Sequence, residues 1–117
     1  MNIDEHQAKA ESIERSLACC THEDYETIIE GCMLAATHRL NILMHRRGLP
    51  LEQDMMHAEF LSMAERRRVR VMLPGVIEAM DEVERARTMH VRGDMDGGPQ
   101  AATRALACLG VLQDATR

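Results

Sequence analysis

Between Thr21 and Gly48 apolar residues recur every three or four positions: Ile28/Ile29, Cys32/Met33, Ala36, Leu40 and Leu43/Met44. Side chains with this period share one face of a 3.6-residue turn, so the stretch predicts a long amphipathic helix that must find partners for its apolar face. Its ends are marked. Thr21 stands at an N-cap position with Asp24 three residues on, a weaker form of the capping box. Arg46 and Arg47 fall in the last turn, where the helix dipole favours cations. Gly48 suits the left-handed position after the helix, Leu49 its apolar contact, and Pro50 prevents continuation. The predicted span is about His22 to Arg47.

The rest of the chain is punctuated in the same way. A first helix is expected from about Ile3 to Cys20, with Ile13 and Leu17 on one face. From Glu52 to about Met72 the stripe Met56, Phe60, Met63 is diluted by Glu65-Arg66-Arg67-Arg68-Val69-Arg70. One helix, or a helix followed by an irregular connection, is expected there. Pro74 fits the first turn of another helix running to about Arg92, with Val76/Ile77, Met80, Val83 and Ala86 as its stripe. Gly93 to Gly98 reads as a loop, and Pro99 opens a last helix with Ala102, Leu106, Leu109 and Val111/Leu112 inward. Strand periodicity is nearly absent. The predicted fold class is all-α, an antiparallel four- or five-helix up-and-down bundle forming a single domain over residues 1–117.

Composition then narrows the function classes. The chain of 117 residues carries 14 basic and 19 acidic side chains, a net charge of -5. That balance argues against a nucleic-acid coat protein, and no DNA partner is expected. Tyr25 and Phe60 are the two aromatic residues, too few for a base-stacking platform. Cys19, Cys20, Cys32 and Cys108 form no Cys-x-x-Cys pair and read as reduced thiols packed as small hydrophobes. The N-terminal stretch is charged, without the apolar core of a signal peptide, and no apolar run approaches a membrane span. No membrane partner and a cytoplasmic location are expected.

Two constellations bear on chemistry. His38, Asn41 and His45 are three and four residues apart and fall on one face of the long helix, a stripe that Leu34 and Glu30 extend upstream. Such residues form hydrogen bonds within the bundle, border solvent, or build a polar pocket facing His57, Glu59 or His90. His38, Asn41, His45 and His57 are therefore the ligand-binding candidates. His38 and His45 lie roughly 10 Å apart along a helix axis and do not grip one ion together. A Glu-x-x-His pair is absent, so no metal ligands are assigned, and the sequence identifies no cofactor. In Arg85-Ala-Arg87-Thr-Met-His90-Val-Arg92-Gly93, Arg87 and His90 are three apart. An arginine and a histidine held together bind phosphate and serve as general acid or base on a ribose hydroxyl, making Arg85, Arg87 and His90 the catalytic candidates. The alternative is a cationic last turn satisfying free carbonyls. The run Arg66–Arg70 reads as an RNA-contacting patch, a solvated face or a salt-bridged dimer edge.

The pair Arg85 and His90, separated by four residues, resembles the motif of the HEPN superfamily. The stretch His38-x-x-Asn41-x-x-x-His45 followed by Gly48-Leu49, and Val91-Arg92-Gly93 closing a helix, are similar to one branch of HEPN-like bundles. The resemblance implies a small α-helical bundle, often dimeric. Many members are ribonucleases of toxin or defence systems, and others have lost the motif and bind nucleotides or partner proteins. Arg85 and His90 depart from the usual layout: they lie near a helix end, and a five-residue step places them about 140° apart. The expected function is a dimeric binding or interaction module with a polar His/Asn pocket. The alternatives are an RNase or nucleotide-acting enzyme using Arg85 or Arg87 with His90, and a metal- or small-molecule-binding bundle. A homodimer is the expected state, with RNA or a nucleotide as a further partner.

Overall fold

A computed structural model describes residues 1–48 and 61–117. The described residues form five α-helices and no strand, arranged as an all-α antiparallel bundle. Helix α1 spans Ile3–Leu17 and is opened by a reciprocal cap: the Glu5 N–H donates to Asn2 Oδ1 and the Asn2 N–H to Glu5 Oε2, each at 2.8 Å. It ends at Leu17, earlier than the Cys20 expected from sequence. The Thr21 N–H donates to Asp24 Oδ2 at 2.8 Å, but this box closes a short 3-10 turn, His22–Asp24. Helix α2 follows from Tyr25 to Arg46, and Gly48 beyond it takes the left-handed conformation with φ +62°.

Helix α3, Met63–Met72, begins with a second reciprocal box between Ser62 and Glu65. Acceptance of the Ser62 N–H and hydroxyl holds the Glu65 carboxyl below its ordinary range. Of the stripe expected before it, Met56 and Phe60 lie outside the described residues. Helix α4 runs from Val76 to Ala86 and continues as a π-helical turn, Arg87–Arg92. Pro74 precedes α4 instead of opening it. Leu73 is buried in the core, and the chain reverses between α3 and α4 through Gly75 at φ +85°, which leaves Pro74 in the turn. Helix α5 spans Gly98–Ala115 with Pro99 in its first turn.

Side-chain pairings set the helix directions. His6 near the start of α1 meets His38 near the end of α2, so these helices run antiparallel. Gly98 at the start of α5 abuts the Tyr25 ring at the start of α2, and Thr116 just past α5 reaches Arg39 and Arg46. Arg87 at the end of α4 pairs with Glu30 early in α2. Helix α3 packs on α4, with Arg66 against Asp81 and Arg70 against Glu78.

Helix α2 is the spine, against which α1, α5 and α4 all pack. The predicted face of α2 is buried, but so are Ala35, Thr37, Arg39, Asn41 and Ile42 on other sides, because helices pack around it. On α5 the inward stripe is Ala101, Ala102, Ala105, Leu109 and Leu112. Leu106 and Val111, predicted to point inward, are exposed. Three alanines give α5 a flat inner surface, so the contact with α2 turns one position away from Leu106.

Candidate functional site: histidines from two helices

His6 lies on the buried side of α1 with Ala10 and Leu17 and is 2% exposed. Because α1 and α2 are antiparallel, its ring reaches the C-terminal half of α2. His6 Nδ1 lies 2.9 Å from His38 Nδ1, and the ring centroids are 5.2 Å apart. The His45 ring is 5.5 Å from that of His6 and inclined by 36° to it. His6 therefore stands in ring contact with two histidines that are one heptad apart on the neighbouring helix. At 2.9 Å one Nδ1 of the His6–His38 pair carries the proton and the other accepts it.

Sequence reasoning found His38 and His45 and missed His6. The signal was present: His6, Ala10, Ile13 and Leu17 are spaced by four, three and four, which puts His6 on the core stripe of α1. Asn41 is buried, and its Nδ2 donates to the Thr37 carbonyl of its own helix at 2.9 Å. Glu30 and Leu34 do not join the cluster: Glu30 pairs with Arg87, and Leu34 is exposed. His57 and Glu59 lie outside the described residues.

Beside the histidines a buried ionic contact fixes the same end of the bundle. Arg39 Nε and Nη2 donate to the two oxygens of Glu14, each at 2.6 Å, and Arg39 Nη1 donates to Thr116 Oγ1 at 2.7 Å. Arg46 Nη1 donates to the Thr116 carbonyl at 2.9 Å. The Glu14 carboxylate raises the Arg39 pKa further above its ordinary value. One carboxylate and one threonine thus tie α1, α2 and the end of α5 together.

The Arg85, Arg87 and His90 candidates sit at the opposite end. Arg85 is exposed and pairs with Glu82 at 2.5 Å. Arg87 donates from Nε to Glu30 Oε1 at 2.7 Å and lies 3.6 Å from Glu84, and the bond to Glu30 raises its pKa. His90 is buried in the π-helical turn, with Nδ1 2.9 Å from the Met95 carbonyl, so it pins the loop before α5. Arg87 is thus directed to α2 and His90 to the loop. In the basic run, Arg67 and Arg68 are exposed, while Arg66 and Arg70 pair with α4.

All four cysteines are free thiols. Burial, followed by the proximity of Cys108 and Glu14, pushes the Cys32 thiol up to about 12. Burial also raises Cys108. Among the described residues no group of three or more His, Cys, Asp or Glu side chains is arranged to hold a metal ion. Among them, too, no helix is long and apolar enough to cross a membrane. Comparison with protein-family profiles, curated proteins and solved structures finds no match.

Proposed function

We propose that the chain is a HEPN-like helical-bundle binding module, acting as a homodimer, whose binding site is the histidine cluster of His6, His38 and His45. The observation that carries this reading is the gathering of three imidazoles from two helices at one end of the bundle. Imidazole is both a hydrogen-bonding group and a ligand near neutral pH, so a convergent set is a natural recognition element. The proposed dimer is supported by exposed apolar side chains on α3, among them Met63, Val71 and Met72.

A second reading, RNase or nucleotide chemistry at Arg87 and His90, is favoured by the π-helical turn that carries both, since such turns recur at functional sites. It ranks lower because both side chains already have structural partners.

The two readings separate in one assay. Purified protein is incubated with single-stranded RNA, alongside His90→Ala with its fold verified by circular dichroism. The binding reading expects intact RNA in every lane and a dimer by sedimentation. Cleavage by the wild type that disappears in the variant overturns it in favour of the second.

A further inference from the structure

We infer that the histidine cluster takes a divalent transition-metal ion, chelated by Nδ1 of His6 and Nδ1 of His38. This rests on the binding reading above and names its ligand class.

The spacing carries the inference. Two nitrogens each about 2.1 Å from one ion stand about 3.0 Å apart when they subtend a right angle, and about 3.4 Å at the tetrahedral angle. The His6 and His38 Nδ1 atoms are 2.9 Å apart. The same nitrogen of each ring faces the other, as two cis ligands of one ion would. Opening to tetrahedral spacing needs about half an ångström, within reach of small torsional changes. The rings come from different helices, so the chelate spans α1 and α2, and the Glu14–Arg39 contact holds those helices in register nearby.

His45 stands beside the pair without completing it. It lies one heptad beyond His38, too far to join that residue directly, but His6 stands in ring contact with it. The described residues therefore offer a preformed pair, not a closed triad. Water completes the shell around the two imidazoles. Two neutral imidazoles without a carboxylate select borderline ions such as Zn2+, Ni2+ or Cu2+ over Mg2+ and Ca2+.

The proton balance is simple. In the neutral pair one ring holds its proton on Nδ1. On chelation that ring passes to the Nε2–H tautomer, so no net proton leaves. A pair carrying an extra proton releases one to solvent.

The test uses the full chain without a histidine tag, stripped with a chelator and titrated with ZnCl2 or NiCl2 by calorimetry, with circular dichroism to verify each variant. The expected result is one ion per chain and a higher melting temperature. His38→Ala is expected to weaken binding by more than about 100-fold, beyond the 10- to 100-fold typical of outer-shell partners. His6→Gln, which keeps a polar side chain in the buried position, is expected to do the same. His45→Ala is expected to weaken it less, and His90→Ala to leave it unchanged. A wild type that takes up no stoichiometric ion overturns the inference, as does binding that survives both His6→Gln and His38→Ala. The binding-module reading fails separately, on His90-dependent RNA cleavage, whatever the titration gives.

Discussion

Arg39 shows what one buried side chain is asked to do. Its guanidinium is almost fully covered and is satisfied by Glu14 and Thr116. Removing one member of a buried pair leaves the other charge stranded, which typically costs about 3–5 kcal/mol. Arg39→Ala should therefore lower stability by that amount in urea unfolding. The double change Arg39→Met with Glu14→Leu should recover most of it, since two apolar groups leave no stranded charge. Cys32 makes a second prediction. Its folded-state pKa of about 12 lies above the ordinary 9.0. The protonated thiol is favoured by folding, so its contribution is complete below about pH 9 and is lost as pH rises through 12. Wild type should lose stability over that window more steeply than Cys32→Ala. At neutral pH the exposed Cys19 should alkylate first, with Cys32 protected until the chain unfolds.

At this scale the sequence was half legible. His38 and His45 are visible because they interrupt an apolar period on a strongly marked helix. His6 obeys its own period but sits in a helix rich in charge, where one buried polar residue looks like solvent-facing polarity. No rule of local spacing reports that residues 6 and 38 meet; that contact exists because two helices pack antiparallel.

Among the elements, α4 has the least expected ending. Its final turn widens to a π-helix, with the Gly93 N–H donating to the Thr88 carbonyl and the Met95 N–H to that of Met89. The His90–Met95 contact holds the wide turn against the following loop. His90→Ala should cost about 1 kcal/mol and speed amide exchange over residues 93–97. The start of α5 is tighter still. A Cβ at Gly98 would fall 2.5 Å from the Tyr25 ring. Gly98→Ala should destabilise by about 1–3 kcal/mol, as overpacking does, and Tyr25→Leu in the same chain should recover part of the loss. Helix existence was readable from caps and periods, whereas the faces were read less well. Leu106 fits the period of α5 as well as Ala105 does. Sequence alone does not weigh a larger hydrophobe against the closer approach that alanine permits.

Taken whole, the molecule keeps its two candidate chemistries apart. The histidines lie where α1 starts and α2 ends, and His90 lies where α4 ends and α5 starts, the pole set by the Arg87–Glu30 pair. Changes at one pole should not alter the other, which is why His90→Ala serves as a control. The proposed dimer has its own test. Val71 is 82% exposed on α3. Val71→Asp should leave unfolding of the isolated chain within about 0.5 kcal/mol while shifting sedimentation from dimer to monomer.

The enclosure of α2 also bears on how this sequence can change over time. Of the ten residues from Ala35 to Met44, nine are buried, and the tenth is His38. A helix at the edge of a bundle has a wet face on which substitutions accumulate harmlessly, and α1 and α5 each keep one. Along this stretch of α2 almost every replacement meets a neighbour. A saturation scan should show an unbroken intolerant band from 35 to 44, flanked by the alternating tolerance of ordinary amphipathic helices. In diverging copies of the gene, that band is where ancestry would stay readable longest.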